Sequence, residues 1–210
     1  MPPSRIVSKL YQYYRITNAF LYAALFTRWL ILFPLVGGKF LPGGIHKFLI
    51  SVMVYSTLGE IGWLFKFRTW KRAVLSRTML KDLTFINFIA TLHYHDDYEH
   101  ALVLRNTSYS LFIVSLALSQ CYVHCSQLFK KDSPRQGSTA VLPTTHNGKS
   151  MVWKLYSYVV LPIMYISEFN LLLLNIQYPS YHKMPRLEVV NKIILVLFFP
   201  LAITCWKKQW

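Results

Sequence analysis

Apolar residues run along the chain in long blocks, broken by short polar and basic stretches. The blocks predict helical spans near 18–37, 48–65, 74–95, 109–129, 153–177 and 189–206. The clearest is Trp153 to Gln177, WKLYSYVVLPIMYISEFNLLLLNIQ, whose one charge beyond Lys154 is Glu168. At ~1.5 Å rise per residue, such a block crosses a ~30 Å hydrocarbon core with room for tilt. The third block is the weakest: Leu83 to Leu92 is too short to cross alone and needs a helix starting near Val74. Residues 1–17 place Arg5, Lys9 and Arg15 among tyrosines and predict a basic interfacial segment. Residues 130–152, rich in Pro, Gly, Ser and Thr, predict a flexible linker. Residues 207–210 are a short tail. The expected fold is an all-α polytopic membrane protein, a six-helix transmembrane bundle with residues 18–206 as one domain.

Composition agrees with that class. Charged residues are 15% and hydrophobic residues 54% of the chain, which fits one integral membrane domain better than a soluble one. The net charge is +15. Because the basic residues sit between apolar runs, they read as membrane flanks; lipids are the expected partner and nucleic acid is not. With six spans, 16 of the 23 Lys and Arg fall on one side, in the N-terminal segment, the 66–82 loop, the 130–154 region and the tail. The positive-inside rule then makes that side, and both termini, cytosolic. Five spans would scatter the basic loops over both sides. No cleavable signal peptide is visible, so the first span is expected to direct insertion. Lys207 and Lys208 match a dilysine retrieval signal of the kind read by coatomer on endoplasmic-reticulum membrane proteins, and equally match membrane-flank charge. Asn106-Thr107-Ser108 is a possible glycosylation sequon on the lumenal side.

The polar residues within spans are the candidates for chemistry. A carboxylate or guanidinium in a spanning helix costs roughly 2.5–3.5 kcal/mol on insertion scales, so it faces a bundle interior, a cavity or a partner. Arg28, Glu60 and Glu168 are such charges, joined by Gln120 and His124 of the fourth span. Each carboxylate lies ~8 Å in depth from Arg28 at the helical rise, so an internal ion pair of Arg28 with Glu60 or Glu168 is expected, with a substrate pocket as the other reading. His93, His95, Asp96, Asp97, Glu99 and His100 crowd into eight residues at the lumenal side. They match no recognised metal spacing and read as a hydrated turn or a partner-docking surface. Three cysteines, two of them Cys121 and Cys125 on one helix face, make no disulfide framework. Gly-rich phosphate loops, paired-cysteine metal sites and a nucleophile elbow are absent. No cofactor, metal or catalytic residue is expected.

Two resemblances extend this reading. Residues 10–49, with LSRTMLKDLTFINF, HYHDDYEHALVLRN and ISEFNLLLLNIQ, resemble a small family of fungal endoplasmic-reticulum membrane proteins, the guardians of β-1,6-glucan synthesis. The resemblance runs over nearly the whole chain. It implies a chaperone-like protein of cell-wall biogenesis that binds and stabilises a single-pass, glycosidase-like membrane protein. More distantly, Leu161-Pro162-Ile163-Met164-Tyr165-Ile166-Ser167-Glu168 is similar to a helix of very-long-chain 3-hydroxyacyl-CoA dehydratases, six-helix proteins with both termini cytosolic. That family places a catalytic Tyr where Leu161 stands here. It implies a dehydratase-like bundle without the enzyme. The alternatives are a lipid enzyme of that type, using Tyr158 or Tyr165 near Glu168, and a lipid-binding or transport bundle.

Overall fold

A computed structural model describes residues 5–38, 40–67, 76–93, 101–128, 151–177 and 185–207. Among them are six helices: α1 (Arg5–Val36), α2 (Leu41–Phe67), α3 (Arg77–His93), α4 (Thr107–Leu128), α5 (Met151–Gln177) and α6 (Pro185–Lys207). Three of these, α1, α2 and α5, are long and apolar enough to cross a membrane. A shorter apolar stretch, Val189–Phe198, lies within α6.

Local chemistry sets most of the ends. Gly37 stops α1 with φ +75 and returns its N–H to the Phe33 carbonyl at 3.1 Å. This left-handed cap suits a residue without a Cβ. Pro42 stands in the first turn of α2 and Pro185 opens α6, where a missing N–H breaks no helical bond. Ser76 caps α3, its Oγ accepting the Met79 N–H at 3.2 Å. Asn106 caps α4, its Oδ1 accepting the Ser108 N–H at 3.1 Å. Within α5, Tyr156–Val160 form a π turn closed by the Leu161 N–H on the Tyr156 carbonyl. Pro162 follows at once; it lacks the N–H that would bond Tyr158 and crowds that carbonyl, which the wider turn relieves.

The principal packing contacts close a ring in the order α1, α2, α3, α6, α5, α4. Contacts such as Tyr14 with Ser56, Trp29 with Ser110 and Tyr122 with Tyr156 show neighbours running antiparallel. Close approach of α1 to α2 depends on Gly59 and Gly44. A Cβ on Gly59 would land in the Tyr14 ring, and one on Gly44 would meet Leu32 at 2.9 Å. The core runs through Tyr22, Leu25, Ile45, Met53, Phe88, Phe112, Leu116, Leu161 and Leu172.

Several boundaries differ from those expected. The segment at 1–17 and the span at 18–37 are, from Arg5 on, one unbroken helix. The stretch 38–47 between the first two expected spans is largely the first turns of α2. The third helix is 17 residues long, about 25 Å at the helical rise, and begins at Arg77. Most of the 130–152 linker, residues 94–100 and Lys208 lie outside the described residues.

Candidate functional site

The inner faces of the ring carry polar side chains at helical spacing. On α1, Asn18, Tyr22 and Leu25 turn inward and are buried. On α4 the buried series includes Leu116, Gln120 and His124, and on α5 it is Leu161, Met164, Glu168, Leu172 and Asn175. This pattern explains why α4 falls short of the three membrane-length apolar helices: its hydroxyls, Gln120 and His124 face protein on α1 and α5.

At one end of the ring the polar groups converge on Lys81. Its Nζ donates to Glu60 Oε2 on α2 at 2.7 Å and lies 3.5 Å from Oδ1 of Asp82, its neighbour on α3. His124 on α4 brings Nε2 to 3.8 Å from Glu60 Oε1 and stacks on Tyr22 of α1, ring centroids 6.1 Å apart. Tyr14 donates to the Ser56 carbonyl at 2.6 Å, and Tyr122 meets Tyr156 of the π turn at 4.5 Å. Residues of α1, α2, α3 and α4 therefore contribute to one partly buried network, with Tyr156 of α5 packed on Tyr122 beside it. Asp82 is 1% and His124 3% exposed, and the carboxylate oxygens of Asp82 and both ring nitrogens of His124 have no hydrogen-bond partner among the described residues. The Glu60–Lys81 pair ties α2 to α3, and Asp82 shares the ammonium from α3 itself.

Glu168 stands apart from this network. It is buried, and its Oε1 has no hydrogen-bond partner among the described residues. Toward the same end as the α5 C-terminus, Asn170 donates to Ser108 Oγ at 2.8 Å and Asn87 to Asn191 at 3.5 Å. At that end too, His46 Nδ1 lies 3.0 Å from the Tyr109 hydroxyl.

The structure thus brings together Glu60 and His124, with Gln120 one turn along the inner face of α4. It does not bring Arg28 to either carboxylate. Arg28 is exposed on the outside of α1, its guanidinium 5.4 Å above the Phe48 ring. The expected pairing with Glu60 or Glu168 is corrected on this point: Arg28 lies on the flank of α1, about 90° from the centre of the inward Asn18, Tyr22 and Leu25 stripe, and is exposed, while Glu60 takes Lys81. In the sequence Lys81 and Asp82 fall in a basic loop and at the start of a weak span. The signal that could have found them is a Lys-Asp pair in the first turns of a helix facing the only charge of the preceding span. Asn106 is exposed and caps a helix, while Ser108 of its sequon is buried and bonded to Asn170. Cys121 and Cys125 have their Sγ atoms 4.0 Å apart on one face. No group of His, Cys, Asp or Glu that could hold a metal occurs among the described residues. The side chains of His93 and Lys207, and all of His95, Asp96, Asp97, Glu99, His100 and Lys208, lie outside them.

Over 204 residues, 97% of this chain and 96% of its relative, the chain is 50% identical to a Saccharomyces cerevisiae (strain ATCC 204508 / S288c) protein described as beta-1,6-glucan synthesis-associated protein KEG1. No family model matches the chain. No solved structure matches it.

Proposed function

The chain belongs to the family of β-1,6-glucan synthesis-associated proteins, and from that premise we propose that it is a non-enzymatic endoplasmic-reticulum membrane protein that binds and stabilises a single-pass, glycosidase-like protein of the glucan pathway. The observation that carries this reading is the match at 50% identity along nearly the whole of both chains to a protein named for association with the synthesis. The interior supports it. The most strongly connected charges, Glu60 and Lys81, pair across two helices with Asp82 beside the ammonium, as a packing device does. Leu161 is a buried core residue, and leucine can neither donate nor accept the proton that dehydration needs.

A partner that binds the folded protein is stabilised by mass action, so removing this chain lowers the partner's level or misplaces it. The test is purification in mild detergent, with quantification of the single-pass partner in the presence and absence of this chain, alongside a dehydration assay on 3-hydroxyacyl-CoA. Recovery of the partner, loss of its level without this chain, and no dehydration are expected. Dehydration abolished by Glu168→Gln, with no partner recovered, sinks the reading; the buried, unpartnered Glu168 carboxyl is the observation that would then matter. The proposed cytosolic tail carries its own check: Lys207→Ser with Lys208→Ser lets protein reach the Golgi, and unchanged location reduces both lysines to membrane flank.

A further inference from the structure

Arg28 occupies a place that the ring itself does not account for. The basic and aromatic group of Arg15, Tyr11, Trp63 and Phe67 marks one membrane boundary: Arg15 sits 4.3 Å over the Tyr11 ring, which meets Trp63 and Phe67 at 5.2 Å. From Arg15 to Val36, the last residue of α1, is 21 residues, about 32 Å at the helical rise, which matches a hydrocarbon core. Arg28 is then about 12 Å from the Val36 boundary and about 20 Å from the Arg15 boundary. Side chains on a helix lean toward its N-terminus, so the guanidinium tilts away from the nearer boundary and toward the distant one. Snorkelling to headgroups is opposed by that geometry. Among the described residues no carboxylate pairs with it; Glu60 and Asp82 are on Lys81, and Glu168 is inside the ring.

The surface beside it is shaped to receive something. Along the outer seam of α1 and α2 runs a groove of about 720 Å³, lined by Tyr14 on one side and by Ile50, Val54, Tyr55 and Leu58 on the other. Phe48, under the guanidinium, shares a face of α2 with Ser51 and Tyr55 of this groove, one and two helical turns along. On α1, Ala23 and Thr27 are exposed, small and four residues apart, next to Arg28, so a second helix can approach closely there.

We propose that the α1–α2 seam is an intramembrane docking surface for a transmembrane helix of the partner, and that this helix carries an Asp or Glu at the depth of Arg28. Charge complementarity names the occupant. An uncompensated guanidinium in hydrocarbon is satisfied by a carboxylate at its own depth, and a helix laid in the groove supplies one while its apolar side chains fill the seam between Tyr14 and Leu58. The proposal deepens the guardian reading and rests on it for the partner being a spanning protein.

The test is site-directed photocrosslinking in native membranes, with the photoreactive residue at Thr27, at Leu58 or, as a control on a different helix, at Val196 of α6. The expected result is an adduct at Thr27 and Leu58 but not at Val196. Its crosslinked peptide should be a membrane-spanning segment with a mid-depth carboxylate. Arg28→Leu removes at least nine-tenths of the adduct without lowering the amount of folded protein, since the side chain is exposed. Arg28→Glu restores it only with a Lys in place of the partner's carboxylate. A partner that crosslinks at Val196 and not at the seam overturns the docking surface and leaves the guardian reading standing. No protein adduct at any position overturns the docking surface, and the guardian reading is then decided by recovery of the partner in mild detergent. Adducts to phospholipid alone, to a second copy of this chain, or to a helix without a carboxylate overturn the proposal, as does an Arg28→Leu protein that fails to fold.

Discussion

Replacing Lys81 by Met isolates the energetics of the buried network. Methionine keeps the length and apolar stem of the side chain and removes the ammonium that lies 2.7 Å from Glu60 and 3.5 Å from Asp82. The Glu60, Lys81 and Asp82 side chains are 15%, 28% and 1% exposed, so the Glu60–Lys81 pair is partly buried and water replaces only part of the lost partner, least of all at Asp82. Removing one side of a buried ion pair costs roughly 3–5 kcal/mol because the other charge remains. For a chain of this size, a kcal/mol corresponds to about 2–4 °C in Tm, so the single variant is expected to melt roughly 6–20 °C lower. The assay is thermal unfolding in mild detergent followed by circular dichroism, on Lys81→Met, Glu60→Gln with Asp82→Asn, and all three together. Neutralising the carboxyls in the Lys81→Met background recovers most of the loss, because no unmatched charge is left. A Lys81→Met protein melting within roughly 2 °C of wild type, the range of an ordinary surface change, refutes the claim that the network holds α3 to α2. So does a triple variant no more stable than the single one.

Gly59→Ala puts a methyl group into the Tyr14 ring, whose hydroxyl is tied to Ser56, and is expected to cost about 1–3 kcal/mol by thermal unfolding. Tyr14→Ala in the same protein relieves that clash, so the two changes are non-additive; strict additivity would count against the close approach of α1 and α2. Asn106 works as a helix cap, so endoglycosidase treatment leaves gel mobility unchanged and Asn106→Ala lowers stability by about 0.5–2 kcal/mol; a mobility shift would show a glycan instead. Glu168→Gln raises or preserves Tm, because a buried carboxyl with an unpartnered oxygen is replaced by a neutral amide, and it leaves partner recovery unchanged. A fall of several degrees would mean that the carboxylate has a partner of its own.

Much of the architecture was legible from the chain alone. Apolar blocks of span length marked out α1, α2 and α5, which are long and apolar enough to cross a membrane, because hydrocarbon thickness sets a length that sequence reveals. Alternating loop charge led to an even helix count, and six helices are present among the described residues. Boundaries were less legible. Pro42, Gly43 and Gly44 look like a loop in one dimension, yet Pro is tolerated in a first helical turn and Gly44 lets α2 lie against Leu32. The π turn in α5 was also hidden, although Pro162 is its local cause.

The candidate site divides along the same line. Sequence by itself determined which ionisable residues stand inside apolar runs: Arg28, Glu60 and Glu168. Their partners were decided only by the tertiary structure. Pairing depends on which face of each helix turns inward and which helices are neighbours, and depth along a span carries neither. The ring order sets α3 beside α2, so Lys81 reaches Glu60 and a residue that reads as loop charge becomes the centre of the network. The same rotation of α1 that buries Asn18, Tyr22 and Leu25 leaves Arg28 about 90° around the helix from the centre of that stripe, on the flank that meets Phe48.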